Sequence, residues 1–465
     1  MLNLLVLGLL YALPIAAPQD QGPYFASGIK AGDVDQSSAV VWVRLSQKPT
    51  ADFSKLPILS QGLTGKQQDV GVMPIDVVPG MDGEVRIQYW ESSADPSTTQ
   101  RGAWQPVTSA SNFVHQFQLT DLQPKTTYVY LAETRRIGSS GISATMRGKF
   151  QTAPAATDAA VIRFAVTTCQ AVRSIDAGTA GHRAYQQMLA FEPQFLVHTG
   201  DIVYYDKAPL AKTPAQALAK WDLMFAYKHN QDFHRQVSTY FMKDDHDTLK
   251  NDCWPGQSYG ELTFAQGLAI FRQQVPIREQ TYRSVRWGKD VQIWMTENRD
   301  FRSSNRMKDG PQKTILGATQ MAWLKQSLAE SNATYKFILS PGPIVGPDKK
   351  GKSDNHANSA FFHEGQALRD FLSKLPNTYV ICGDRHWQYC STDPKTGLIE
   401  MGCGPINDQH NFGGNPGNDE KFHSYFSEKG GFLGITVNGK SAVAEWFSAD
   451  SLVPRHRLMF TAEHE

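Results

Sequence analysis

Four short apolar runs in this chain each end in residue types that bind cations or move protons. Thr167-Thr168-Cys169-Gln170 follows residues 162–166, and Thr199-Gly200-Asp201-Ile202-Val203-Tyr204 follows residues 195–198. Lys243-Asp244-Asp245-His246-Asp247 follows residues 240–242, and Gly383-Asp384-Arg385-His386-Trp387 follows residues 379–382. Carboxylates gathered without a counter-ion repel one another and resist ionisation, so the economical reason to collect them is a metal. Taken singly, each motif has an ordinary explanation. A Cys after a strand is usually a small buried hydrophobe, an Asp at a strand end usually caps a loop or helix, and an acidic run is usually solvated. The shared context, a polar residue placed just after an apolar strand, is what points to one site.

The elements that must position these residues have two rhythms. Apolar runs at residues 162–166, 195–198, 291–295, 337–339 and 379–382 alternate with helical patterns. One helix carries Tyr185, Met188 and Leu189, a second Met321, Leu324 and Leu328, and a third Leu368, Phe371 and Leu375. Strands alternating with helices predict a layered α/β domain over residues 160–465. In such sheets, polar residues past the strand ends converge on one edge. Upstream, the period is two: Val85, Ile87 and Tyr89 alternate with Arg86 and Gln88, Phe113, His115, Phe117 and Leu119 share a face, and so do Tyr128, Tyr130 and Ala132. This predicts a small all-β sandwich over residues 22–152. Residues 122–128 resemble the corner of fibronectin-type sandwiches, where a buried Tyr ties down a loop. The sandwich carries no catalytic constellation, and a Pro/Ala-rich linker at residues 152–157 separates it from the α/β part.

Gly200-Asp201-x-x-Tyr204, Asp244-Asp245-His246 and Gly383-Asp384-x-His386 together resemble the PhoD-type alkaline phosphatases, a branch of the calcineurin-like metallophosphoesterases related to purple acid phosphatases. Phe25-Ala26-Ser27-Gly28, Ser38-Ala39-Val40-Val41-Trp42, Asn298-Arg299-Asp300-Phe301-Arg302 and the helix-leading residues 316–324 extend the match along the chain. The resemblance implies a four-layer calcineurin-like domain, a β-sandwich flanked by helices, preceded by a small immunoglobulin- or fibronectin-like all-β domain. It further implies that Cys169, Asp201, Tyr204 and His386 hold iron, as Fe3+. Asp201 would bridge to a second cation completed by Asp384 and the 245–251 segment, through Asp245 and Asn251. Thiolate and phenolate donors suit a redox-capable transition metal, whereas Asp and Asn oxygens suit Ca2+ or another hard divalent cation. Where calcineurin-like folds often supply a further His, this chain reads Ser340-Pro341-Gly342-Pro343, and Asp247 stands where the family usually has Glu. The implied activity is hydrolysis of phosphate esters by a metal-activated water. His246 is expected to assist the leaving group or donate to phosphate. His356 and Asn358, in the polar stretch 353–358, are expected substrate contacts. Arg299 and Arg302 have the chemistry to bind phosphate, although such arginines more often form structural ion pairs.

Bulk properties narrow the partners. A chain of 465 residues exceeds one ordinary core, and 41% hydrophobic with 20% charged residues describes a globular protein rather than a disordered one. A formal net charge of +1 argues against a nucleic-acid partner, and so against a metal-dependent nuclease. Residues 2–17 are apolar and end in Pro14 and Ala16-Ala17, which predicts a signal peptide over residues 1–18 and a secreted or periplasmic protein. No other stretch is apolar enough to serve as a transmembrane anchor. The expected partner is a small phosphate-ester or phospholipid-like substrate, and the oligomeric state stays open. If Cys169 is a ligand, four cysteines remain, with Cys390 and Cys403 the nearest to pair. The rival readings are a phospholipase D-like phosphodiesterase and a catalytically silent cell-surface binding protein. The intact set of site residues stands against the latter.

Overall fold

Phe164 and Val166 of the strand Ile162–Thr167 belong to one buried apolar cluster and Ala165 to another. Phe195 and Val197 likewise join the first cluster while Leu196 joins the second. Ile293 and Met295, with Phe337 and Leu339, complete the first cluster from a second sheet, and Trp294 and Ile338 turn to a third. Strands apolar on both faces need cover on both. The helix Ala184–Ala190 covers the outside of the first sheet, and Gly317–Ala329 and Phe362–Leu372 cover the second. The outcome is four layers, helix, sheet, sheet, helix, as expected. This description comes from a computed structural model and covers residues 22–56 and 71–462, so the stretch read as a signal peptide lies outside it.

The first sheet has nine strands, with the parallel trio Ile162–Thr167, Phe195–His198 and Ser238–Phe241 at its heart. The second has seven, with Val291–Met295, Tyr335–Ser340, Thr378–Cys382 and Ile399–Cys403 running parallel. Parallel strands send their carboxyl ends to one edge, which is where the four sequence motifs sit.

The all-β region is built into this frame. Ile29–Gly32 pairs in parallel with Ser238–Phe241 and antiparallel with Ala39–Arg44, which in turn pairs with Val114–Leu119. These three strands therefore extend the nine-stranded sheet. Their other face packs on a five-stranded sheet through Val41, Val43, Val85, Ile87 and Tyr130. A β-carbon at Gly32 would stand 2.5 Å from the Thr239 carbonyl oxygen, so only glycine admits the approach. The seam is also polar: Arg44 pairs with the buried Asp222 at 2.9 Å, and Trp42 Nε1 donates to the Gln273 carbonyl at 2.8 Å. At the predicted corner, the Gln123 N–H donates to the Tyr128 hydroxyl at 2.8 Å.

The cysteine expectation needs correction. All five thiols are buried and free. In the antiparallel pair Gln388–Thr392 with Ile399–Cys403, Cys390 faces Met401 and Cys403 faces Gln388, so the two sulfurs are out of register for a disulfide.

Candidate metal centre

Cys169, Asp201 and Asp384 all have left-handed backbone, with φ of 50°, 57° and 59°. Such geometry costs an L residue roughly 1–2 kcal/mol, and its occurrence at three strand ends marks loops shaped for their side chains rather than for stability. Gly200, at φ 112°, lets two of these loops meet, since a β-carbon there would lie 2.7 Å from Asp244 N. Asp247 then ties the loops together. Its carboxylate accepts the backbone N–H groups of Asp201, Val203 and Asp244. Lys220, fully buried, fastens the next turn by donating to the carbonyls of Tyr204, Lys207 and Pro209.

The side chains converge on Asp201. Its Oδ2 accepts from the Tyr204 hydroxyl at 3.0 Å and from the Cys169 thiol at 3.5 Å, while Oδ1 is buried with no partner among the described residues. Asp245 Oδ2 accepts the Asp252 N–H, and its Oδ1 has no hydrogen bond among the described residues, with Arg299 Nη2 3.8 Å away. Asp244 accepts from Arg299 through Oδ1 and leaves Oδ2 unpaired. Oxygen and nitrogen donors of Asp201, Asp245 and His246 lie within 4.8 Å of one another, as do those of Asp201, Asp244 and Asp384. Burial, and then Asp245, Asp244 and Asp247, raise the Asp201 carboxyl well above the usual range. Burial opposes ionisation of Asp245 too, but Arg299 and His246 hold it down to about 2.

Two imidazoles are set in place by their other nitrogen. His386 Nδ1 donates to the Phe412 carbonyl at 2.6 Å, which leaves Nε2 as a lone-pair donor, and burial pushes its pKa down to about 3. His246 Nδ1 meets Asp206 Oδ1 at 2.5 Å, and its ring packs on Tyr204 with centroids 4.2 Å apart. Asp206 Oδ2 accepts the Asn251 N–H at 3.1 Å. A cleft of about 240 Å³ opens above, lined by Asp201, His246, Asn251, Asp384 and His386.

His356, Asn358, Arg299 and Arg302 do not line the cleft. His356 Nε2 sits 2.9 Å from Glu364 Oε2, and Asn358 caps a short helix by accepting the Ala360 N–H at 3.1 Å. Arg299 is held by Asp244 and Asp354, and Arg302 by Asn305 and the Asp354 carbonyl. Asp384 pairs with its neighbour Arg385. At Gly342, where related folds often carry His, a β-carbon would stand 4.0 Å from Asp384 Oδ2, so the position borders the site without contributing a side chain. Sequence reasoning missed His410, whose Nε2 lies 3.0 Å from the Tyr204 hydroxyl, and Asp206. It also passed over Asp244 as a donor in its own right. His410 follows the strand Ile399–Cys403, so the rule that found the other motifs would have found it had that strand been recognised.

The model of the PhoD-like phosphatase family matches residues 164–430, more than half of the chain, and that family's N-terminal domain model matches residues 12–154. The chain belongs to the PhoD-like phosphatase family. Alkaline phosphatase D of Bacillus subtilis is 23% identical over 429 residues, covering 81% of this chain and 67% of that one. The solved structure of PhoD superposes with a TM-score of 0.71 at 17% identity, covering 96% of this chain and 90% of the other. Purple acid phosphatase PPD1 from yellow lupin seeds gives 0.62 at 12% identity, covering 95% and 74%. At such identities the structures establish the fold, and family membership makes the chain a metal-dependent phosphoric ester hydrolase.

The residues present fit cations. Among the described residues, buried carboxylate oxygens of Asp201, Asp244 and Asp245 have no hydrogen-bond donor, and native proteins rarely leave such atoms unsatisfied without an ion or water. A thiol and a phenol meet Asp201 Oδ2, the donors of Asp244, Asp245, His246 and Asp384 gather around the same carboxylate, and the neutral His386 imidazole lines the cleft above.

Proposed function

We propose that Cys169, Asp201, Tyr204 and His386 hold iron, and that Asp201, Asp245, Asn251 and Asp384 hold calcium or another hard divalent cation. Asp244, with its own free oxygen, extends the second set. The observation that carries this reading is the division of Asp201: one oxygen gathers the tyrosine and cysteine, and the other is buried and unclaimed. When bound, the cations neutralise charge on the phosphoryl group and acidify an attacking water. Asp206 orients His246 through Nδ1 and leaves Nε2 for the leaving-group oxygen. Although burial opposes its charge, Asp245 and Asp206 raise the His246 pKa, which favours the protonated form that gives a proton to the departing alkoxide. Tyr204 and Cys169, buried with high intrinsic pKa values, ionise only against a cation, so metal uptake releases protons.

Metal analysis after expression with iron and calcium tests the assignment. The expected result is stoichiometric iron with a visible tyrosinate band that disappears in Tyr204→Phe. Stoichiometric zinc and no band would overturn it. Side-by-side turnover of p-nitrophenyl phosphate and bis-p-nitrophenyl phosphate then reads whether monoesters or diesters are preferred. Among the described residues no helix is long and apolar enough to cross a membrane. We further place the protein outside the cytoplasm on the apolar residues 2–17, and N-terminal sequencing of exported protein should begin just beyond residue 18.

A further inference from the structure

Five cations line the cleft: Arg173, Lys207, Lys349, Lys352 and Arg385. Two of them are neutralised by the protein. Lys352 pairs with Asp252 at 2.6 Å and Asp354 at 3.3 Å, and Arg385 pairs with Asp348 and Asp384. Among the described residues the other three have no carboxylate committed to them alone. The Arg173 guanidinium makes no ion pair among the described residues, and its Nε is buried without a partner. It stacks on Phe412, with the guanidinium carbon 3.9 Å from the ring centre. Lys349 Nζ donates to the Gly413 carbonyl at 2.7 Å and pairs with no carboxylate among those residues. Lys207 reaches Asp206 only at 3.5 Å, and that carboxylate already serves His246. Burial, and then Lys352 and Arg385, push the Lys349 ammonium down against the opposing pull of Asp348 and Asp252, both of which already pair with other cations.

One phosphoryl group at the metal centre does not account for this surplus. The bound cations there would be balanced by Asp201, Asp245 and the ionised Cys169 and Tyr204, beside carboxylates of Asp244 and Asp384 already shared with Arg299 and Arg385, and the cleft is wide enough to admit more than a phosphate. We propose that Arg173 and Lys349 form a second anion subsite, so that preferred substrates carry a further phosphate on the leaving-group side of the ester being cleaved. A planar guanidinium already stacked on an aromatic ring loses little freedom when it takes a phosphate through two N–H groups. Phe412 also fixes the spacing between subsite and centre, because its ring underlies Arg173 while its carbonyl holds His386 Nδ1. The inference rests on the phosphoesterase reading of this cleft.

The test compares phosphate release from glucose 6-phosphate and glucose 1,6-bisphosphate by the metal-loaded protein, beside calorimetric binding of the same two sugars. The wild type should favour the bisphosphate in kcat/KM by about tenfold or more, chiefly through KM. Arg173→Gln should bring that ratio close to one, and Arg173→Lys should keep part of it. Equal kcat/KM for the two sugars in the wild type overturns the proposal, as does a preference that survives in Arg173→Gln. A kcat loss in Arg173→Gln of equal size on both sugars also overturns it, by placing Arg173 on the phosphoryl group being transferred. If no phosphate ester is turned over, the phosphoesterase reading fails separately and calorimetry still decides. Tighter bisphosphate binding that Arg173→Gln removes supports the subsite, and equal affinities reject it.

Discussion

Replacing Asp201 with Asn should make the metal-free protein more stable and the enzyme inactive. The reason lies in how the carboxylate is satisfied. Oδ2 accepts from Tyr204 and Cys169, and the amide oxygen of Asn can take over both bonds. Oδ1 has no donor and faces a neighbourhood of carboxylates, where an amide NH2 would instead find free oxygens on Asp244 and Asp245. Two unit charges within 4.8 Å repel by about 3.5 kcal/mol at an effective dielectric of 20. The wild type relieves part of that by taking up a proton, so a net gain of about 2–3 kcal/mol is the expected size, or a rise of several degrees in melting temperature. The assay is thermal unfolding of both proteins with chelator and with iron plus calcium, read beside p-nitrophenyl phosphate turnover. With chelator the variant should melt higher. With metals the order should reverse, because only the wild type gains binding energy that depends on the folded state. A variant that melts below the wild type in chelator would refute the reasoning, since the carboxylate would then be satisfied without a cation.

Three further outcomes follow from the same geometry. Asp206→Asn removes the charge that helps keep His246 protonated and one of the two acceptor oxygens that serve His246 and the Asn251 N–H, and should lower kcat by about tenfold or more with esters of poor leaving groups, and less with p-nitrophenyl phosphate, as a proton-donor role requires. Lys220→Met leaves three buried carbonyls without their donor, which should cost about 3–5 kcal/mol in denaturant unfolding and lower iron retention through Tyr204. Tyr128→Phe removes the bond from the Gln123 N–H and should cost about 1–2 kcal/mol while kcat and KM stay at wild-type values.

What the sequence made legible was whatever a local pattern can carry. Residues 162–166 form a short apolar run, so the strand and the polar residue beyond its end follow from one short window, and the structure buries that strand on both faces. The proposed ligands Cys169, Asp201 and Asp384 were singled out this way, whereas their left-handed backbones are not something a pattern could have announced. Asp206 and His410 escaped because they act through another residue, and such roles depend on distances between loops. His356 and Asn358 looked available because their segment is polar, yet the fold spends one on Glu364 and the other on a helix start. The pairing of Ile29–Gly32 with Ser238–Phe241 joins segments some two hundred positions apart, and period-two alternation in either strand says nothing of its partner.

That pairing bears on how the protein can be cut and recombined. A chain begun near residue 160 would bare the flank of Ser238–Phe241, the kind of open strand that recruits neighbours and precipitates. It would also strip Asp222 of Arg44 and leave a buried carboxylate with no cation. Protein engineers who exchange the first 150 residues between relatives would need to carry Gly32, Thr239, Arg44 and Asp222 across as one set. The two stretches recognised by separate family models therefore share one nine-stranded sheet, and a library built by shuffling them freely should return mostly insoluble members.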